Sequence, residues 1–554
     1  MLNCAWVCDD AFITFRSIDN FLGGFGLRWN VAERVQTFTH PLWLLLLVPV
    51  VLVFGDPYFA VLVQSITISA AAAWFSMRFF SADWQQAVVI AILLCVSKAF
   101  VDFSTSGLEN PLIHALFACF IYGYMLCHGR NRTAYLCWIA GLSALTRLDS
   151  LVLLSPALLV TLIQEGRRSS VRKVLIGFVP LITWIVFSTL YYGFPLPNTY
   201  YAKITTGVSF GTRYDLALDY FTHSGTIDPI TLLTICVGVL VSLSKPDVRP
   251  FGIGILLHVV YLLWAGGDFM SGRLLTGSYF ASVILIVARV GSRRRLLAGV
   301  ATAAIVLAVL TPRSPVWARW DETYELGEPS GVVDERAYYF NETGLIKTLI
   351  DPGVRERLKS EGLRLREKQP VVAARYAIGR VGYYAGPDVH IIDRNALADP
   401  LLARMPTSSG VILRPGHYTR SMPGGYVETI WKDQNRLRSE SISGYYEVIR
   451  RLTRGDLTDG GRLADIILFN LGLSDLSIPS GVRVESYPVD EAIAALGPIP
   501  EEGFSGDTTG TGKLALLAES FLDRQQPGYA AAAWGTAQHL GAQSAAFWRL
   551  GGRL

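Results

Sequence analysis

Charged residues are scarce in this chain: they make up 17% of its 554 residues, against 51% hydrophobic ones, and the mean hydropathy is +0.36. Ordinary soluble domains carry about 25% charged residues, so the deficit excludes a chain that is soluble throughout. Cysteine is unevenly placed. All seven (Cys4, Cys8, Cys95, Cys119, Cys127, Cys137 and Cys236) precede residue 237, so no disulfide framework staples the second half. Cys4 and Cys8 read as small apolar fillers. There is no GxxxxGK[ST] phosphate loop and no CxxC or HExxH metal pattern, and "DTTGTGK" (507–513) lacks the phosphate-loop spacing, which removes an ATPase from consideration. The formal charge is only +4, with Lys and Arg in short loops beside apolar runs, so no nucleic acid is expected as a partner.

What the chain does contain is a series of apolar runs. They cover 41–54, 57–79, 84–100, 109–127, 133–146, 149–164, 174–192, 229–244, 250–265, 273–290 and 296–311. A bilayer core asks for ~20 residues of helix, fewer where helices are short. The pattern predicts a polytopic α-helical membrane protein with about 10 to 11 membrane helices over residues 1–311, followed by a soluble region, 312–554. Basic loops "HGRNR" (128–132), "EGRRSSVRK" (165–173), "SKPDVR" (244–249) and "GSRRR" (291–295) fall on alternate turns, which places them in the cytoplasm. The loops between them then face outward, as does the region after 311. The run 84–100, interrupted by Ser97 and Lys98, is expected to cross only half way, which lets the opening segment and "TSGLENP" (105–111) share the outer face.

Ionisable residues beside a membrane are costly and point to function by default. Here they gather on the outward side: Asp9, Asp10, Arg16, Asp19, Glu33, Arg34 and His40 near the start, then Asp102, Glu109, Arg147, Asp149, Lys203, Asp268 and Arg273. A mixed-charge cavity of this kind suits transfer of a sugar from a lipid phosphate to a hydroxyl. A carboxylate can take the hydroxyl's proton, while Arg and Lys hold the phosphate oxygens. Asp9 and Asp10 are the candidate catalytic carboxylates. Arg16, Glu109, Arg147, Asp149, Lys203, Asp268 and Arg273 are the candidate donor phosphate and sugar ligands. Each has a plainer alternative: Asp9 or Asp10 a solvated edge residue, Glu109 a helix cap, Arg147 and Asp149 a structural pair, Lys203 a snorkelling lysine, "FPLPN" a rigid loop and "GGD" a turn. The weight rests on their sharing one face.

Several blocks together resemble a known family. "DDAFITFRSIDNFLGGFGLRWNVAERVQTFTHPLW" (9–43), "TSGLENPL" (105–112), "TRLDSL" (146–151), "PLPNTYYAK" (195–203), "GGDFMSGRLL" (266–275) and "VGYYAGPDVHIIDRNALADPLLAR" (381–404) run in order. They are similar to bacterial GT-C glycosyltransferases related to mycobacterial terminal arabinofuranosyltransferases and type IV pilin arabinosyltransferases. The resemblance implies a multi-pass enzyme of the bacterial inner (plasma) membrane with its active site on the extracytoplasmic face. Its donor would be a polyprenyl-phosphate sugar, typically decaprenyl-phosphoryl arabinofuranose, and its acceptor a glycan or a pilin-like protein. It implies that the essential carboxylate of the first outer loop falls at Asp9 and Asp10. If donor and product are both β-linked, configuration is retained and a second carboxylate near the anomeric carbon gains a role. The family's first helix has no counterpart ahead of Asp9 in the sequence as given.

In the region after 311, 316–369 is expected to be polar and helix-prone, "PVVAARYA" and "DVHIID" to form strands, and 439–475 to be helical. An α/β or α+β domain is predicted. His40, Asp393 and Arg394 are candidates for the acceptor side, with Asp393 equally able to start a turn. The Ala-rich stretch 528–550 reads as a packed helix. No cofactor is certain; the carboxylates could ligate a divalent cation. Two other readings compete: transfer of another sugar, such as mannose or aminoarabinose, and a lipid-linked glycan transporter or flippase. The transporter predicts charges at midplane or on both faces.

Overall fold

The computed structural model describes residues 2–473, except 130, 166, 205–206, 292, 320–330, 369–370 and 408–413. The expected helix at 528–550 and the "DTTGTGK" stretch lie outside the described residues. The chain opens with α1 (Asp9–Leu22), a helix where the sequence pattern suggests a loop. It continues through α2 (Pro41–Phe54), α3 (Pro57–Phe80), α4 (Trp84–Val96), α5 (Lys98–Phe103), α6 (Asn110–Met125), α7 (Arg132–Thr146) and α8 (Ser150–Glu165). Then come α9 (Arg167–Gly177), α10 (Val179–Tyr192), α11 (Asn198–Ile204), α12 (Phe210–Ile227), α13 (Pro229–Leu243), α14 (Arg249–Ala265), α15 (Thr276–Val290) and α16 (Arg294–Leu310).

Local chemistry sets these boundaries. Asp56 accepts the Tyr58 N–H at 2.9 Å and starts α3; Asp83 accepts the Gln86 N–H at 3.0 Å and starts α4. Proline at the first helical positions of α2, α3, α6, α10, α13 and α14 costs nothing, because those N–H groups have no helical partner. Helix α15 is the centre of the bundle: every residue from Thr276 to Val287 is buried. Outward-facing apolar side chains, among them Leu52, Val53, Ile163, Leu240 and Leu310, are wide open, an arrangement that suits lipid and penalises water.

Fewer helices than the 10 to 11 expected are by themselves long enough to cross a membrane, and the number of crossings stays an expectation. Among the described residues, α3 and Arg273–Val290 are long and apolar enough to cross, and two bent pairs, Ser170–Gly177 with α10 (53°) and α12 with α13 (106°), raise the number to four if each is one span. The difference is one of length. Helices such as α2, α4, α8 and α14 hold 13 to 17 residues, which at 1.5 Å rise fall short of a ~30 Å hydrocarbon core. The run 84–100 breaks at Ser97, whose hydroxyl caps α5 by accepting the Phe100 N–H at 3.1 Å.

Beyond residue 311 lie α17 (Glu335–Thr343), α18 (Leu345–Ile350), α19 (Pro352–Glu367), β1 (Val371–Arg375), α20 (Gly379–Ala385), β2 (Val389–Asp393), α21 (Tyr426–Lys432), α22 (Glu440–Arg454) and α23 (Gly460–Asn470). The two strands pair in parallel from Val371↔Val389 to Arg375↔Asp393, with α20 in the crossover between them, a βαβ unit. The start of this region is not cored separately: Val332, Ala337, Tyr339 and Phe340 pack in the same apolar core as the helix bundle.

The βαβ unit is tied to the opening segment. Arg16 donates from Nε to the Trp29 carbonyl (2.8 Å), from Nη1 to the Gly382 carbonyl (2.8 Å) and from Nη2 to the Val389 carbonyl (2.7 Å), and its guanidinium lies 4.3 Å from the Trp29 ring centre. Asn30 bonds both the carbonyl and the N–H of Ile391 in β2. Arg16, expected as a donor-phosphate ligand, has its donors committed to these carbonyls and acts here as a framework tie. Arg16→Met strips charged donors from buried carbonyls, so detergent-solubilised protein should lose roughly 3 to 5 kcal/mol of stability, read as a lower midpoint in thermal unfolding.

Candidate active site

Glu109 sits at the N-cap position of α6, yet its side chain caps nothing. It is fully buried and surrounded by two arginines and a histidine. Arg147 Nη1 lies 2.6 Å and Arg273 Nη2 3.2 Å from Oε1, while His40 Nδ1 lies 3.2 Å from Oε2. His40 reaches Thr14 of α1 through Nε2 at 2.9 Å. Arg147, at the end of α7, also grips Asp149 with two parallel bonds of 3.0 and 2.8 Å. Asp149 in turn lies 3.7 Å from Nε2 of His258, and His258 Nδ1 is 2.9 Å from Ser278 Oγ. Arg273 Nη1 lies 3.7 Å from Asp268. Buried charges persist only where partners repay their desolvation. The chain meets that condition by drawing groups from α1, α6, α7, α14 and α15 and from the loops around them into one network.

Six of the candidate residues (Glu109, Arg147, Asp149, Asp268, Arg273 and His40) therefore belong to a single cluster. The plain ion-pair alternative for Arg147 and Asp149 is correct as geometry, but the pair is one link of a longer chain. His40, placed by sequence on the acceptor side, stands with Glu109.

Asp9 and Asp10 part ways. Asp9 Oδ2 accepts the Gly379 N–H at 2.9 Å, and Oδ1 accepts the Arg380 N–H at 2.9 Å and its Nε at 3.3 Å. It caps α20 and joins α1 to the βαβ unit. Asp10 makes no hydrogen bond or ion pair among the described residues. Enclosure pushes its carboxyl up to about 6, against the opposing charge of Arg273, with Asp9, Lys203 and Asp268 as the next charges in strength. Lys203, in α11, is likewise unpaired among the described residues. Burial pulls its ammonium below the usual range, opposed by Asp268 and Asp10. The snorkelling alternative does not describe it, since the side chain is turned in among these charges and its Nζ lies against Gly416.

"GGD" is a turn that glycine alone can make. Gly266 and Gly267 have φ of +92° and +70°, a region that L side chains avoid. A Cβ on Gly267 would fall 2.6 Å from Tyr220 Cβ. The turn lets Asp268 lie buried beside Arg273.

Asp393 and Arg394 are not drawn into the cluster. Asp393 accepts the N–H groups of Asn395 (2.9 Å) and Ala398 (3.0 Å), and Arg394 Nε donates to the Arg420 carbonyl at 3.0 Å. The turn-starting alternative for Asp393 holds. Burial raises its carboxyl to about 7.

Three features escaped sequence reasoning. His258 is an ionisable residue inside the apolar run of α14, which is itself a signal. Lys98 pairs with Asp102 and, at 3.1 Å, with Asp334, while Arg336 Nε lies 2.7 Å from Asp102. This second network fastens α5 to α17. Glu335, next to Asp334, is buried and makes no ion pair among the described residues; only the short acidic-basic "DER" (334–336) marked it.

Among the described residues no three His, Cys, Asp or Glu side chains converge as a metal site. The oxygens of Asp9, Glu109 and Asp149 are engaged by arginines, His side chains and backbone N–H groups. The set does not fit a divalent cation, and no step below runs through one.

No protein-family model matches the chain, and no solved structure does. Two curated proteins are similar, both named terminal beta-(1->2)-arabinofuranosyltransferase. The one from Mycobacterium tuberculosis is 26% identical over 405 residues, covering 61% of this chain and 63% of the relative. The one from Corynebacterium glutamicum is 25% identical over 349 residues, covering 50% and 47%. The chain resembles these arabinofuranosyltransferases. It spans less than two thirds of the length of either.

Glu109→Gln removes the charge that binds Arg147, Arg273 and His40 together. Losing one member of a buried ionic set costs about 3 to 5 kcal/mol, so the variant should unfold at markedly lower temperature than Lys203→Met, whose side chain has no partner to abandon.

Proposed function

We propose that this chain is a membrane glycosyltransferase. It transfers a pentofuranose, D-arabinofuranose, from decaprenyl phosphate to a cell-envelope glycan or pilin-like protein at the extracytoplasmic face of a bacterial plasma membrane. The observation that carries this reading is Asp10: a carboxylate at the first turn of a helix with no partner among the described residues, in the field of Lys203, also unpaired among them, and of Arg273 from the buried charged cluster. The similarity to two arabinofuranosyltransferases supports the choice of sugar.

In the proposed step, the bond between the sugar's anomeric carbon and the phosphate oxygen breaks, and its electron pair leaves with the polyprenyl phosphate. The acceptor oxygen bonds to the anomeric carbon, and its proton passes to Asp10. A carboxylate raised to about 6 is better matched to accepting that proton near neutral pH than one at its ordinary value. Lys203 and Arg273 supply positive charge where the phosphate gains negative charge. Asp9 positions this turn by capping α20 and does not meet the substrate. Arg147, Asp149 and His40 hold Glu109 and Arg273 in place. The chain beyond residue 311 lies outside the membrane and receives the acceptor.

Membranes carrying the protein, given labelled polyprenyl-phosphoryl arabinofuranose and an arabinan or pilin acceptor, should transfer the label. Asp10→Asn should lower kcat by roughly 10²- to 10⁴-fold; unchanged transfer would remove Asp10 from the chemistry, and transfer only from a mannosyl or aminoarabinosyl lipid would replace the sugar. The pH profile has a definite sign. Below about 6 the Asp10 carboxyl is protonated and cannot accept, so kcat/KM should fall as pH drops through that value and level off above it.

A further inference from the structure

Glu335 opens α17 directly after the segment that pairs with the "GGD" loop. Val333 N–H donates to the Phe269 carbonyl at 2.7 Å and Ser271 N–H to the Val333 carbonyl at 3.0 Å, with Met270 and Val333 bridged in parallel. Its neighbour Asp334 is fixed by Lys98 at 3.1 Å and accepts the Ala337 N–H at 3.2 Å, so the first turn of α17 is held from two sides. Glu335 is only 6% exposed, and its Oε2 is enclosed without a hydrogen-bond partner. It makes no ion pair among the described residues. A buried carboxyl group left open in this way is rare and asks for a ligand.

Burial, followed by the charges of Asp10, Asp9 and Asp268, pushes the Glu335 carboxyl well above the usual range, with Arg273 opposing. Asp10 and Glu335 are also the acidic groups that act most strongly on the buried thiol of Cys8. The backbone pairing of Val333 with Phe269, Met270 and Ser271 sets Glu335 beside the loop that carries Asp268 and leads into Arg273.

We infer that Glu335 hydrogen-bonds a hydroxyl group of the furanose donor. The inference rests on the function proposed above. An uncharged acid both donates and accepts a hydrogen bond, as sugar hydroxyls do, and adds no negative charge to a space that also takes a lipid phosphate.

The test uses the full chain in detergent with polyprenyl-phosphoryl arabinofuranose and its deoxy analogues. Glu335→Gln, which keeps a donor and an acceptor, should retain kcat/KM within about threefold. Glu335→Ala should lose roughly 10- to 100-fold, chiefly through a higher KM for the donor. That loss should vanish for the one deoxy donor that lacks the bound hydroxyl. Infrared difference spectra should show a carboxylic acid carbonyl band that shifts on adding the donor lipid and is absent in Glu335→Gln. The inference is overturned if the Ala variant matches wild type, if it loses equally on every deoxy donor, if the Gln variant is as inactive as Ala, or if the band does not move. A band that shifts in wild-type protein without any transfer would uphold Glu335 as a ligand and overturn the transferase reading alone.

Discussion

Everything at the polar end of this bundle depends on a carboxylate that water does not reach. Glu109 stands at a helix start where a simple cap would suffice, and the fold surrounds it with Arg147, Arg273 and His40. Removing ions from water costs several kcal/mol each, and excess charge of either sign in such a space would be pushed toward neutrality or out into solvent. Two arginines, one carboxylate at the centre and flanking carboxylates at Asp149 and Asp268 nearly cancel, with each arginine shared between two carboxylates. The geometry of the loops follows from that balance. The paired glycines at 266 and 267 bring Asp268 in, and the end of α7 brings Arg147 in.

A second consequence is the division of labour between neighbours. Asp9 and Asp10 are one residue apart, and successive helical residues point about 100° apart. One side chain therefore reaches the βαβ unit while the other turns toward Lys203 and Arg273. The same helix carries Thr14 to His40 and Arg16 to the carbonyls of Gly382 and Val389. Through α1, the charged cluster and the C-terminal strands are held in a common frame.

Much of this was legible in the sequence, and what was not has physical reasons. The apolar runs marked the helices because hydrophobicity is a local property; the helix lengths were hidden, because breaks such as that at Ser97 shorten helices within a run. Glu109, Arg147, Asp149, Asp268 and Arg273 were legible as a group because ionisable residues are expensive beside apolar runs. Their pairing was hidden, since it joins positions as far apart as 109 and 273. The ties of Arg16 were hidden for the same reason: its partners at 382 and 389 are remote in sequence. β1 and β2 were visible as short β-branched runs, whereas Glu335 lay in a polar stretch where an acidic residue raises no question until its burial is known.

Gly379 adds one last point. A Cβ there would collide with the carbonyl oxygen of Asp9, so the joint between α1 and α20 closes to within less than a methyl group. A joint that tight has no slack. Asp10 follows Asp9 by a single peptide bond, so any tilt of the βαβ unit, for instance as a bulky chain comes to rest on it, is delivered to the Asp10 carboxylate as a change of aim.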